Sequence, residues 1–283
     1  MKRHTEVPSD SSDFEQTSDR TSRVIDIEPA PGLVFDLRTG SGDVRVTRAT
    51  TPCVQVRLTT TDPNPEERLA QVSCDYDAGS ARVGIDTNLV RTTSVPGTGL
   101  RRTLMRWVDA VRHDVDVELV VGIDISVVLR TAAGDLVACR DLVDVDVASA
   151  SGNVELETVL GALTVRTASG NLRALDVRGV LGAKTVSGDV RVQRTSGPLS
   201  VQSVSGDVDI CAAGLQEARI NTVSGDVRVA VSPGLVVDVD ATTVSGDLSS
   251  DITLDANAQP GVTTESLRLT VRTVSGDVAL VRG

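Results

Sequence analysis

Alternating apolar and polar residues run through most of the chain from residue 114 onward. A representative stretch is Val190-Arg191-Val192, which is followed after a short Ser-Gly-Pro turn by Leu199-Ser200-Val201. Period-two alternation predicts β-strands with one buried and one solvated face. Two such strands, each of about six residues and each followed by a turn, would form one coil with valine and leucine side chains inside.

A short phrase, Ser-Gly-Asp-Val in its commonest form, recurs between the strands. The steps between successive glycines of these copies, counted from the copy near residue 134, are 18, 18, 18, 18, 19, 21 and 30 residues. A fixed period of this size predicts stacked structural repeats, each burying its inner face only against its neighbours. The copies place their turn residues at Gly42, Asp43, Gly134, Asp135, Gly152, Asn153, Gly170, Asn171, Gly188, Asp189, Gly206, Asp207, Gly225, Asp226, Gly246, Asp247, Gly276 and Asp277.

The repeated turn has a structural and a functional interpretation. Glycine in every copy indicates a positive φ or a close approach to the next coil, and Ser and Asp can accept hydrogen bonds from nearby backbone N–H groups. The alternative is a column of carboxylates that binds one cation per coil. Asn153 and Asn171 favour the structural interpretation, because a turn that needs only an acceptor tolerates Asn, whereas a calcium site loses charge.

The segments before the repeats differ from them. Residues 1–22 are rich in Ser, Thr, Asp and Glu without periodicity, which predicts a disordered tail. Residues 23–113 predict an irregular β part, with a helical turn near residues 66–70 and strands near residues 72–75 and 81–86. It is expected to continue into the repeats of residues 114–283 as one domain.

A short amphipathic helix is predicted near residues 100–112, with apolar residues at helical intervals and an arginine-rich polar face. One interpretation is a cap or clip across the repeats. The other is a docking helix for a protein groove or, more weakly, a membrane surface, with Arg102, Arg106 and Trp107 as the candidate interaction residues.

Composition narrows the functional classes. The formal net charge of −11 argues against nucleic acid as a partner, because phosphates require a basic stripe. The chain has no nucleophile elbow, phosphate loop or dinucleotide motif, and its two histidines, His4 and His113, lack ligands at metal spacing. We therefore predict no catalytic residues, no cofactor and no metal. The four scattered cysteines are predicted to be buried free thiols, with two disulfides as the alternative.

The Ser-Gly-Asp-Val units, together with the approach strand at residues 115–121, resemble a bacterial putative-adhesin family, domain of unknown function 4097. The similarity extends over most of residues 23–283. It implies an all-β fold, a right-handed single-stranded β-solenoid with two short strands per coil of about 18 residues. It implies no established catalytic residues, and members of the family have been linked to envelope-stress systems.

The resulting functional expectation is a non-enzymatic scaffold or interaction protein with an unknown protein partner. The alternatives are an adhesin or carbohydrate-binding module and a polysaccharide-active β-helix enzyme, although only four aromatic residues are present for stacking on sugars. Residues 278–283 are expected to form a bare last coil that mediates homo-oligomerisation. The absence of a signal peptide and of a long apolar run predicts a cytoplasmic location.

Overall fold

The computed structural model describes residues 22–88, 115–214, 217–233, 236–251 and 266–283. Within these ranges the chain forms two long β-sheets and one short helix, and their inward side chains make one continuous apolar core. This confirms the predicted all-β solenoid. The helix predicted near residues 100–112 and the tail up to residue 21 lie outside the described residues.

The elements before the regular repeats are six strands and the helix α1. Their bounds are β1 (Ser22–Ile27), β2 (Leu33–Thr39), β3 (Val44–Arg48), β4 (Val54–Thr60), α1 (Pro65–Gln71), β5 (Ser73–Asp77) and β6 (Arg82–Asp86). The helix confirms the predicted helical turn near residues 66–70. Pro65 stands in its first turn and is followed by two glutamates, which favours a helix start.

The remaining strands alternate between the two sheets along the chain. Their bounds are β7 (Val115–Val121), β8 (Ile125–Thr131), β9 (Leu136–Leu142), β10 (Val145–Ser149), β11 (Val154–Val159), β12 (Leu163–Thr167), β13 (Leu172–Val177), β14 (Leu181–Ser187), β15 (Val190–Thr195), β16 (Leu199–Ser205), β17 (Val208–Ala212), β18 (Glu217–Asn221), β19 (Val227–Val231), β20 (Val236–Thr242), β21 (Leu248–Ser250), β22 (Ser266–Arg272) and β23 (Val278–Arg282).

Within the described ranges, sheet A has twelve strands in the order β1-β4-β7-β3-β9-β11-β13-β15-β17-β19-β23-β21. Sheet B has eleven in the order β20-β22-β18-β16-β14-β12-β10-β8-β2-β6-β5. Through the regular part, parallel pairing joins residues 18 apart, as between Leu163 and Leu181 in sheet B. The predicted inward positions are buried: Val190 and Val192 are each 2% exposed.

The first copy of the repeated turn joins the stack in spite of its distance along the chain. Strand β3, which follows Gly42, lies between β7 and β9, and β2, which precedes it, lies between β6 and β8. The coil formed by β2 and β3 is thus inserted next to the coil that contains β8 and β9. The sequence showed this copy as an isolated one, but the stacking makes it part of the same column.

The stacking order reverses at the other end of the chain. Strand β23 pairs with β19 on one side and β21 on the other, and β22 likewise lies between β18 and β20. The coil of residues 236–250 is therefore outermost among the described residues. The prediction that residues 278–283 form the bare last coil is wrong, because both edges of β23 are paired.

The two ends of the stack differ. At one end, α1 packs against β4 and β1 and buries Leu69, and the adjoining Val72 is buried too. Arg23 of β1 donates from Nη1 to the carbonyl oxygens of Leu69 and Val72, at 3.1 and 3.4 Å, which fixes the end of the helix to the sheet. At the other end, β20 and β21 are the edge strands of the two sheets.

Candidate functional site

The repeated Asp and Asn side chains form one hydrogen-bonded column along the solenoid. Except at the last member, each side-chain Oδ1 accepts a hydrogen bond from the backbone N–H of the equivalent residue in the next coil, with N···O distances from 2.7 to 3.2 Å. The order is Asp116, Asp43, Asp135, Asn153, Asn171, Asp189, Asp207, Asp226, Asp277 and Asp247. The acceptor therefore links neighbouring coils, whereas the sequence had suggested closure within one turn.

The two asparagines take part in this column without interrupting it. Oδ1 of Asn153 accepts from the N–H of Asn171, and Oδ1 of Asn171 accepts from the N–H of Asp189. The column thus uses a carbonyl-type acceptor and does not depend on a negative charge at every coil. Among the described residues, no group of three or more His, Cys, Asp or Glu side chains is arranged to hold a metal ion.

The glycines of the repeated turn stack backbone against backbone. A Cβ placed on Gly188 would lie 2.2 Å from the carbonyl oxygen of Gly170, far inside van der Waals contact. Gly206 has the same close approach, to Gly188, and in addition a φ of +149°, which L side chains rarely adopt. The two expected reasons for a glycine, close approach to the next coil and a positive φ, therefore both occur in the repeated turns. The other sequence-derived candidates, Arg102, Arg106 and Trp107, lie outside the described residues.

A groove lies on the outer face of sheet A. It has a volume of about 780 Å³ and crosses β9, β11, β13, β15 and β17. At the usual spacing between strands, five strands span about 19 Å. Its lining includes Glu155, Arg173, Leu175, Arg191 and Asp209.

The groove arises where the strands of sheet A change phase. In β11, Leu156 and Val159 are both buried although three residues apart, and Glu157 is exposed between them. The register between β9 and β11 shifts at this level, and the register between β15 and β17 shifts near Val192. A bulge of this kind bends a strand, so repeated bends at one level produce a trough across the coils.

Charged side chains of both signs line the trough. Arg173 lies beside Arg191 in the strand register, and each is paired with a carboxylate: Arg173 Nη1 with Glu155 Oε1 at 3.1 Å, and Arg191 Nη1 with Asp189 Oδ2 at 2.9 Å. All four side chains are partly exposed, so these ion pairs contribute little to stability. Their guanidinium groups keep further N–H donors for a ligand.

An apolar patch lies beside these charges. Leu175 is 48% exposed, which leaves a large aliphatic side chain in the groove without cover from the core. Sequence reasoning missed this site. The available signal was the break in alternation in β11, β13 and β15, where two residues that are not buried follow one another before the next inward residue.

The cysteines correct another sequence expectation. All four are free thiols, and none is buried: Cys139 is exposed, and Cys53, Cys74 and Cys211 are half-buried. Cys139 and Cys211 line the groove, because they occupy outward positions of β9 and β17. Burial raises the pKa of the Cys74 thiol, an effect that the nearby Arg23 partly opposes.

Arg140 is a charged residue inside the fold, adjacent to the groove strand β9. Its side chain is only 3% exposed, its Nη1 donates to the carbonyl oxygen of Val121 at 2.5 Å, and its Nη2 lies 3.6 Å from Asp124 Oδ1. Burial lowers the pKa of the guanidinium, while Asp124 acts in the opposite direction. These contacts tie β9 to the end of β7 and indicate a structural role.

The family model described as Toastrack DUF4097 matches residues 112–281, well over half of the chain. The chain belongs to the toastrack family. This confirms the family resemblance inferred from the repeated phrase and the approach strand. No curated protein matches this toastrack chain.

Solved bacterial structures share the toastrack fold seen here. One, described as a putative adhesin from Parabacteroides distasonis, has a TM-score of 0.52 and 13% identity, covering 92% of this chain and 96% of its own. Another from that species, described as a putative lipid binding protein, has a TM-score of 0.51 and 11% identity, covering 93% and 98%. A putative adhesin from Parabacteroides merdae has a TM-score of 0.50 and 10% identity, covering 93% and 96%.

At these identities the likeness concerns the fold alone. None of these matches names an enzyme, and the toastrack family is one of unknown function. In the described ranges, no helix is both long enough and apolar enough to cross a bilayer.

Proposed function

We propose that this toastrack protein is a non-catalytic scaffold that binds an extended polypeptide in the groove of sheet A. The observation that carries the proposal is the exposed Leu175 beside Arg173 and Arg191, in a trough that spans five coils. An extended chain matches the length of the trough. Its apolar side chains would cover Leu175, and its carboxylates would bind the arginine N–H donors.

The groove strands also limit how such a partner binds. Strands β11, β13 and β15 are each paired on both sides, so the partner cannot add itself to the sheet as a further strand at this site. Recognition would therefore depend on side chains. We expect Leu175 to supply the central apolar contact and the arginines to set the direction and register of the bound chain.

Affinity purification from the native host tests the proposal. The wild-type chain is compared with Leu175→Asp and with the double variant Arg173→Glu, Arg191→Glu. The control is Arg166→Glu on β12 of the opposite sheet, where Arg166 is 59% exposed, compared with 56% for Arg173 and 42% for Arg191. We expect the groove variants to lose a polypeptide that the wild type and the control both retain. Identical partners for all four proteins would refute the proposal.

The alternative function is that of an adhesin or carbohydrate-binding module. It has the descriptions of the solved relatives in its favour, but the groove-lining residues that the structure describes include no aromatic side chain. For the scaffold we propose a cytoplasmic location. Fractionation of the native host, followed by immunodetection of the full chain, separates the proposals, since an adhesin would be recovered at the cell surface.

A further inference from the structure

The outermost described coil exposes side chains that the other coils bury. Val239 of β20 is in register with Leu269, and Leu248 of β21 is in register with Val278. Leu269 and Val278 are 0% and 1% exposed, whereas Val239 is 39% and Leu248 is 54% exposed. The interior of the solenoid therefore opens to solvent at this end, within the part of the chain that the structure describes.

The same coil supplies the last described strand of each sheet. Strand β20 pairs with β22 and β21 pairs with β23, and each is the last strand of its sheet as the described residues define it. An edge strand with unpaired N–H and C=O groups is a template for pairing with another chain. The seven residues of β20 are longer than the average strand, so this edge is a substantial one.

The surface that fits this end is another coil of the same kind. Inside the stack, the inner row of one coil is covered by the next coil with an apolar side chain at the same level, as where Leu163 meets Leu181 and Val165 meets Ala183. The opposite end of the molecule is a poorer match, because α1 packs against β1 and β4 there and buries Leu69. The better matching surface is therefore the same end of a second molecule, which offers an uncovered inner row of its own.

We propose that two copies associate head to head through the coil of residues 236–250, related by a two-fold axis. That symmetry brings β20 against β20 of the second copy in antiparallel pairing. The apolar centre, with Val239 and Leu248, would be covered on both molecules at once. The outward Asp238 and Asp240 stand at the rim, where Arg268 lies 3.8 Å from Asp238.

The rim makes the association dependent on ionic strength. Four carboxylates, on Asp238, Asp240, Asp247 and Asp251, belong to this coil or directly follow it, and the symmetry places two sets near one another. Like charges at an exposed rim repel, and salt screens them. The dimer should therefore become tighter as the salt concentration rises, in contrast to an association held by ion pairs.

Light scattering of the full chain across a concentration series provides the first test. We expect a monomer–dimer equilibrium whose dissociation constant rises by about tenfold or more in Leu248→Asp, because the new carboxylate would be buried without a partner. Val186→Asp is the matched control, since Val186 is also 54% exposed but lies on an inner coil, and it should leave the constant unchanged. A monomer at every concentration and salt condition would overturn the proposal.

Cysteine cross-linking gives a test that does not destabilise the core. In a Cys139→Ser background, which removes the exposed native thiol, Val239→Cys is compared with Val186→Cys under mild oxidation. The two-fold axis brings the Val239 positions of both copies near one another, so a disulfide-linked dimer should form for Val239→Cys only. Equal cross-linking of the two variants, or none in either, would contradict the head-to-head arrangement.

Discussion

An alanine at Gly188 should destabilise the solenoid far more than an alanine six residues earlier in the same coil. At Gly188 the new Cβ would lie 2.2 Å from the carbonyl oxygen of Gly170 and 2.8 Å from its carbonyl carbon, both backbone atoms. At Gly182, in β14, a new Cβ would meet no heavy atom within 4 Å. The two substitutions are chemically identical, so their difference isolates the close approach between coils.

The expected magnitude follows from the atoms that must move. Relieving an overpacked contact of this kind costs about 1–3 kcal/mol. The turn also carries two inter-coil hydrogen bonds, from Gly188 N to the Ser205 carbonyl and from Asp207 N to Asp189 Oδ1, both 3.1 Å, and each is worth about 1 kcal/mol when intact. A displaced turn weakens both, so we expect Gly188→Ala to lose about 3 kcal/mol. Gly182→Ala should be neutral or gain about 0.5 kcal/mol, because alanine restricts the unfolded chain.

Thermal and urea unfolding followed by circular dichroism measure the difference. A loss of about 3 kcal/mol corresponds to a fall in melting temperature of about 6–12 °C in a protein of this size. The urea midpoint should fall with an unchanged slope, which shows that stability changed without a change in the unfolded state. Equal midpoints for the Gly188 and Gly182 variants would refute the reasoning that the glycine column is set by backbone contact.

Three further predictions concern single side chains. Asp189→Asn should unfold within about 0.5 kcal/mol of the wild type, whereas Asp189→Ala should cost about 1 kcal/mol, because only the former keeps an acceptor for the next coil; urea midpoints measure both. Arg140→Ala should cost about 2 kcal/mol through lost buried hydrogen bonds, against less than about 0.5 kcal/mol for the exposed Arg166→Ala. Iodoacetamide should alkylate Cys139 before Cys74, because burial raises the pKa of the Cys74 thiol and so disfavours its reactive thiolate. Folding therefore favours the protonated Cys74 thiol, and the free energy of unfolding should fall as the pH rises through the thiol pKa of the unfolded chain.

The regular part of the fold could be predicted from the sequence because the repeated residue pattern shows both which side chains face the core and where the coils touch. Alternating valines specify strands with an inner face, and the spaced glycines specify where backbones must touch. Gly188 illustrates this. The regular spacing of glycines along the sequence identified its turn, and its contact with Gly170 explains why a glycine recurs at that spacing. The order of the coils was not readable. The copies at Gly246 and Gly276 share the phrase Thr-Val-Ser-Gly-Asp, so the phrase does not show that the later one stacks further inside.

The groove was missed for a different reason. Sequence reasoning looked for reactive or metal-binding residue types, and the trough contains none in a recognisable motif. What creates it is geometry, in which Leu156 and Val159 both turn inward and the strand bends between them. The same information was present as a change of phase in the apolar pattern, but a phase change alone does not show that neighbouring coils bend at the same level.

The residues that hold the coils together are different from the residues on the outer face of sheet A, so the outer face can vary without weakening the stack. Coil stacking fixes the turn glycines and the inner apolar residues, while the outer row across sheet A changes freely, from Glu155 to Arg173, Arg191 and Asp209 at one register level. Substitutions in that row cost the stack little, because the side chains are partly exposed and their ion pairs are weak. Specificity can therefore be encoded on the outer face independently of stability, and a binding variant such as Leu175→Asp should keep the melting temperature of the wild type.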